Sequence, residues 1–233
     1  VLDSNPQISV IIPTLNEEKL ILQTLSQFTP ELKNKFNIEV IISDGRSTDT
    51  TLELSAASGA VDKTVVAVPG EKQNISQGRN AGAKAATGKY LYFFNADTRM
   101  DDPDRFFGIS LKAFENGKYA AFTCYFRVFP DDVKLSDKLF HGFYNNYVRI
   151  LNKAGMGMGR GECHMVRKEI FLNVNGYNEA LAAGEDYDLY RRIQKKGKIR
   201  FLPELTVYES PRRYRKFGYR RVFADWTKNS LSV

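Results

Sequence analysis

Three short runs dominated by apolar residues, Ile8–Ile12, Ile38–Ile42 and Tyr90–Phe94, constrain this chain more than any other feature. Each is rich in β-branched or aromatic residues, the pattern of a strand buried on both faces. Lys63–Val68 reads as a further strand. Helical stretches separate them: about Glu17–Phe28, then one started by Ser47 and Asp49 and running to about Ala57, then Gln73–Ala86, which is rich in small residues. Thr14 with Glu17 offers a capping box for the first helix, and Asn16 an equally good cap. Strands alternating with helices predict an α/β fold with a parallel central sheet, helices on both faces and right-handed crossovers.

After Thr98 the alternation weakens. Asp102-Pro103 is a helix start, with Asp as cap and Pro at the first helical position. Tyr119–Phe129 reads as strand, about Leu135–Leu151 as an aromatic-rich helix and Gly184–Lys196 as a helix. Leu139, Phe143, Tyr147 and Leu151 form one stripe of the long helix, for which core packing is the expectation and a surface for a lipid acceptor or a partner subunit the alternative. Four glycines between Gly155 and Gly161 favour a mobile loop, either a lid with glycine hinges or a disordered connection. No internal repeat, low-complexity tract or clear linker interrupts the 233 residues, so we read one domain whose second half is built onto the first.

The length suffices for a core without disulfides, and 42% hydrophobic with 26% charged residues is ordinary for a globular protein. No apolar run approaches the roughly 20 residues that span a bilayer. The start does not read as a signal peptide: Val1–Asn5 has no basic region and Pro13 breaks the next apolar stretch. Cys124 and Cys163 stand in no metal-ligand spacing and read as free thiols of a cytoplasmic protein. The net charge of +7 peaks in Arg212, Arg213, Arg215, Lys216, Arg220 and Arg221, interleaved with Tyr214, Phe217 and Tyr219. Such a segment suits a pyrophosphate, an anionic membrane face or a nucleic acid.

Ligands of parallel sheets bind outside the carboxyl ends of the strands. The polar residues at these ends, Thr14–Glu17, Asp44–Asp49 and Asn95–Asp97, should therefore converge on one crevice. Asn95-Ala96-Asp97 places hard oxygen ligands there, of the kind that Mg²⁺ and Mn²⁺ prefer. Asp44 is placed to accept from a base N–H, with Ser47 capping the following helix; taken alone, a turn role for Asp44 and a cap role for Ser47 are the stronger reading. Arg79 presents a guanidinium suited to a phosphate or to a buried carboxylate. Glu185 and Asp186 open a helix, where capping is one reading and a general base the other, with Arg192 one to two turns on. His141 and His164 are lone histidines with no motif around them.

In this order the four clusters resemble the family 2 glycosyltransferases of the GT-A fold, over about Ile8–Arg221. The resemblance implies a metal-assisted, inverting transfer of a hexose from a UDP- or GDP-sugar. It implies that Pro13, Thr14, Asn16 and Glu17 hold base and ribose, and that Asp44, Gly45 and Ser47 read the base. Arg79, Asn95 and Ala96 complete the nucleotide site. Asp97 and Asn95 fall on the metal motif for Mn²⁺ or Mg²⁺, with Glu209 where many members carry a histidine ligand. Glu185, Asp186 and Arg192 fall on the catalytic acid pair and its arginine. About 7–98 would then be the nucleotide-binding half, 99–221 the acceptor-side half and 222–233 a C-terminal tail. A saccharide, a small alcohol or a lipid phosphate would accept the sugar, at the cytoplasmic membrane face where an anionic surface meets the basic segment.

A dinucleotide oxidoreductase would carry a glycine-rich first turn, and this chain has Pro13-Thr14-Leu15-Asn16-Glu17 instead. A nucleotidyltransferase would open with a glycine-rich basic loop, which is missing. A non-catalytic module for anionic partners would use the basic segment but leave the acidic clusters at the strand ends unexplained, so no nucleic-acid partner is expected.

Overall fold

The computed structural model describes residues 6–70 and 74–231. The chain begins with β1 (Ile8–Thr14), α1 (Ile21–Leu25), α2 (Pro30–Phe36), β2 (Ile38–Asp44), α3 (Thr51–Ala57), β3 (Lys63–Val66), α4 (Ile75–Ala85) and β4 (Tyr90–Phe94). The four strands pair in parallel in the order β3-β2-β1-β4. Next come β5 (Thr98–Met100), α5 (Pro103–Glu115), β6 (Ala121–Val128), α6 (Leu135–Lys153), β7 (Cys163–Arg167), α7 (Lys168–Asn173), α8 (Glu185–Gln194), β8 (Ile199–Glu209), α9 (Arg212–Phe217) and α10 (Tyr219–Leu231). They extend one eight-stranded sheet as β4-β7-β6-β8-β5. There β7 runs antiparallel to β4 and β6, and only the β6–β8 pair is parallel.

Alternation along each strand splits the core in two. Ile8, Val10 and Ile12 pack with Phe28, Phe36, Phe106 and Phe107 on one face. Ile11, Leu91 and Phe93 pack with Ala83, Phe171, Leu189 and Tyr190 on the other. Gly82 lets α4 lie close to the sheet, because a Cβ there would stand 2.4 Å from Ile11.

Several elements differ from the sequence reading. Only Ile21–Leu25 of the expected 17–28 helix is helical, and neither Thr14 nor Asn16 caps it: Thr14 Oγ1 donates to Asp44, and Asn16 takes a left-handed φ of 55°. Pro30 with its cap Thr29 starts the separate α2. Ser47 does not cap α3, which starts at Thr51; its hydroxyl and amide are spent on Asp44. Asn74 and Gln77 form a reciprocal capping box on α4, and Gln73 lies outside the described residues. Strands β5, β7 and β8 were not expected. From residue 222 the chain is helix rather than tail up to Leu231, with Val222 buried against Tyr214. Residues 232–233 are outside the described range.

Of the stripe on α6 only Leu151 packs against the core; the rest turns outward. The buried side of the helix is His141, Tyr144, Asn145, Val148 and Asn152, whereas Leu139 and Phe143 are 67 and 58% exposed. The 155–161 loop is packed rather than free. A Cβ on Gly159 would stand 2.5 Å from the Tyr190 ring, and one on Gly157 2.5 Å from the Tyr190 carbonyl. Close approach to α8, not hinge freedom, requires these two glycines. Among the described residues no helix is long and apolar enough to cross a membrane.

Candidate functional site

The carboxyl ends of β1 and β2 lie side by side, with Thr14 opposite Asp44. Their corner is built from short polar side chains. Asp44, buried, accepts from Thr14 Oγ1 at 2.8 Å, Ser47 N at 2.7 Å and Ser47 Oγ at 2.6 Å. Asn16 Oδ1 accepts from Thr48 N at 2.8 Å, and Ser47 Oγ accepts from Asn16 N. Asn16 and Ser47 therefore brace the corner, and neither lines the cavity beneath it, which Pro13, Thr14, Glu17 and Gly45 do line. Asp44 instead opens on a neighbouring cavity of about 400 Å³ between β3 and α4.

The first cavity, about 290 Å³, also takes in Asn95, Ala96 and Asp97 at the end of β4. Burial pushes the Asp97 carboxyl up to about 6, Glu17 and Glu162 adding to it and Arg212 and Arg213 opposing. Arg212 places its Nε 3.2 Å from Asp97 and both terminal nitrogens on Glu17.

A second cavity, about 350 Å³, adjoins the first, and Ile75, Asn95, Glu162 and Arg213 line both. It contains Glu185 and Asp186 at the start of α8. Burial, then the charges of Glu185 and Glu162, push the Asp186 carboxyl up to about 8, against the pull of Arg79. Arg79 is itself buried, donating to Glu185 at 2.9 Å, Asn95 Oδ1 at 3.0 Å and the Gly161 carbonyl at 2.5 Å. Of the two partners expected for Arg79, the structure gives it the carboxylate. Phe217, Asp225 and Trp226 close the cavity from α9 and α10, and Tyr144 and Tyr187, whose hydroxyls are 2.6 Å apart, form its floor.

Two expected site residues point elsewhere. Arg192 does not face the cleft: its guanidinium is consumed by Asp188 and by the carbonyls of Val174 and Gly176. Glu209 borders the first cavity but is bound by Arg160 at 2.7 Å and by the Tyr214 hydroxyl at 2.8 Å. Sequence reasoning missed Arg160 and Glu162, two buried charges, the first within the 155–161 loop and the second just after it. Arg160 pairs with Glu162 and Glu209 beneath the rings of Phe126, Tyr144 and Trp226. Burial alone would raise Glu162, but Arg160 and Arg213 hold it at about 2. Charges so close to glycine and an apolar strand were the available signal. His141 and His164 are both buried and line neither cavity of the cleft.

Among the described residues no three acidic, histidine or cysteine side chains are grouped to hold a metal. Asp97 is a hard oxygen donor at the cavity wall, with Glu17 across a cationic guanidinium from it. Asn95 has its carbonyl oxygen turned to Arg79 and Glu209 is spent on Arg160. This donor set fits Mg²⁺ or Mn²⁺ arriving with phosphate oxygens, since such ions need only one or two protein carboxylates.

The family model for glycosyl transferase family 2 matches residues 9–174. Glycosyltransferase AglE of Haloferax volcanii is 33% identical over 93 residues, 40% of this chain and 31% of that protein. Probable glycosyltransferase YdaM of Bacillus subtilis is 25% identical over 219 residues, 88% of this chain and 50% of that protein. The chain thus spans half or less of these relatives' length. Among solved structures, the mannosyltransferase PcManGT of Pyrobaculum calidifontis, in complex with GDP-Man and Mn²⁺, superposes with a TM-score of 0.69 at 20% identity. The match covers 88% of this chain and 57% of that one. Glucosyl-3-phosphoglycerate synthase of Mycobacterium tuberculosis, with Mg²⁺ and UDP, gives 0.65 at 19% identity over 97% of this chain and 79% of that one. These are GT-A structures, and the likeness is one of fold. With most of its length matched by the family model, the chain belongs to glycosyl transferase family 2.

Proposed function

We propose that this chain transfers a hexose from a UDP- or GDP-sugar to an acceptor, with inversion. The observation that carries the reading is the joined cleft: Asp97 at the end of β4 and Asp186 at the start of α8 line adjoining cavities that share Asn95 and Glu162. The nucleotide lies against Pro13, Thr14 and Gly45, with Asp44 and Ser47 shaping the corner that reads the base. Mn²⁺ or Mg²⁺, held by Asp97 and the donor's phosphates, would supply neutralisation of the leaving diphosphate. Arg212 and Arg213, the guanidiniums at the first cavity, replace Arg192 as the side chains that add to this charge stabilisation. Asp186 takes the proton of an acceptor hydroxyl on a saccharide or small alcohol. With an ionised lipid phosphate as acceptor, Asp186 and Glu185 position it instead. Arg79 fixes Glu185 against Asn95 and is a positioning residue.

The rival reading, a non-catalytic module binding anions through its basic segment, loses support from the ion pairs of that segment. Arg212 is engaged by Glu17 and Asp97, and Arg215 by Asp137. A thermal-shift screen with UDP and GDP, each with and without Mn²⁺, separates the two. Metal-dependent stabilisation by one diphosphate is expected. Stabilisation by polyanions alone, indifferent to metal, would overturn the proposal.

A further inference from the structure

The outer face of α6 is left uncovered by the fold. Leu135, Leu139, Phe143 and Ile150 are 72, 67, 58 and 64% exposed and follow one another at helical spacing. Tyr147 stacks on Phe143 in the same row, with ring centroids 6.3 Å apart. Phe223 of α10 meets Phe143 edge-on at 6.0 Å and carries the apolar face onto the C-terminal helices. There Phe217, 46% exposed, is also a wall of the cavity that holds Asp186. Contiguous exposed apolar surface of this kind marks an interaction site.

The charges around the face say what covers it. At the 3.6-residue helical period Lys138, Arg149 and Lys153 run along one flank of the α6 stripe. Arg220 and Arg221 are exposed beside Phe223, and Arg221 lies over the Phe217 ring at 5.4 Å. The sole carboxylate of α6, Asp137, is buried and paired with Arg215. A second copy docked face to face would bring no free carboxylate of its α6 to those cations. An anionic bilayer accepts both parts, the apolar row at the acyl boundary and the cations among the headgroups.

We infer that α6 and the start of α10 dock this chain on an anionic lipid surface, with the acceptor cavity's Phe217 wall at the headgroup layer. The docking stands without the transferase reading; delivery of a lipid-borne acceptor to Asp186 rests on it.

Sedimentation with vesicles of phosphatidylcholine, alone or mixed with phosphatidylglycerol, tests the surface. The protein should pellet with the mixed vesicles and remain largely in solution with neutral ones. Replacing Leu139, Phe143 and Ile150 together by serine should abolish pelleting at an unchanged melting temperature. Replacing Lys138, Arg149 and Lys153 by glutamine should weaken it by about fivefold per cation. UDP-dependent thermal stabilisation with Mn²⁺, read on the same proteins, should be retained, so loss of docking and failure of the transferase reading are told apart. Wild-type protein that stays soluble with both vesicle types overturns the proposal. So does a stable dimer in ultracentrifugation that Phe143→Ser converts to monomer.

Discussion

Arg212 lays Nη1 2.8 Å from Glu17 Oε2 and Nη2 2.5 Å from Oε1, across 195 positions of sequence. The same guanidinium turns its Nε to Asp97. One side chain from α9 thus joins the loop after β1 to the end of β4 at the mouth of the nucleotide cavity. Because it is half exposed, the pair adds little to stability. Its effect is electrostatic: a cation stands between the two carboxylates where a divalent ion and a diphosphate would have to meet.

Arg212→Ala should therefore split two affinities. Without nucleotide, Mn²⁺ followed by electron paramagnetic resonance should bind about fivefold more tightly, because no guanidinium competes for Glu17 and Asp97. UDP at saturating Mn²⁺ should bind more weakly, since a planar cation suited to phosphate has gone. Equal changes in the same direction would show that Arg212 serves only to shape the loop.

Asp97→Asn is the complementary test. Burial already drives the Asp97 carboxyl toward its neutral form, so the amide should leave the melting temperature of the ligand-free protein near that of the wild type. The extra stabilisation that Mn²⁺ gives to the UDP complex should disappear. Its retention would remove Asp97 from the metal site.

Residues of the first half were readable because strand burial and strand-end polarity are local signals. Ile8–Ile12, Ile38–Ile42 and Tyr90–Phe94 lie within β1, β2 and β4, and Thr14, Glu17, Asn95 and Asp97 met in one cavity as the topology rule requires, whereas Asp44 opens on the next. What could not be read are partnerships fixed by distant elements. Arg192 has the right spacing from Glu185, yet the carbonyls of Val174 and Gly176 capture it. The α6 stripe has core-like periodicity, but it is Tyr144 and Val148 on the other side that pack with Phe201 of the sheet. Glycines 157 and 159 have the spacing of hinges, yet the Tyr190 carbonyl stands against the first and the Tyr190 ring against the second. Glu39 carries no motif, yet it organises a buried cluster.

That cluster makes a prediction about acid stability. Burial would raise the Glu39 carboxyl, but Lys63, Ser9 and Thr87 outweigh it and bring it from 4.5 to about 2. A depressed folded-state value stabilises above pH 4.5, and that stability is lost as pH falls toward 2. Glu39→Gln should melt lower at neutral pH and lose less on acidification than the wild type. Parallel melting curves against pH would show that Glu39 does not set this slope.

Gly159→Ala distinguishes packing from hinging. Tyr190 cannot swing away, because its hydroxyl donates to the Phe122 carbonyl at 2.7 Å within the core. The added methyl should cost about 1–3 kcal/mol of stability, seen in urea unfolding, as overpacking does. A drop in turnover at undiminished stability would instead restore the lid.

Asp186→Asn tests the proposed base. The wild-type carboxyl, near 8 through burial and the charges of Glu185 and Glu162, is mostly protonated at neutral pH. If it deprotonates the acceptor, the rate should climb about tenfold per pH unit below 8 and level off above it. The amide should lose that rise and about a hundredfold in turnover, with donor affinity nearly unchanged. Stability must move the other way. Between the ordinary value of 3.8 and about 8 the folded state holds a proton that the unfolded state has released. Stability is therefore full below that window and falls as pH rises through it. The Asn variant should lack this decline and gain on the wild type in melting temperature from pH 5 to 8. A turnover that vanishes with the pH slope of stability intact would place the raised carboxyl elsewhere, and Glu185 would then be the residue to replace.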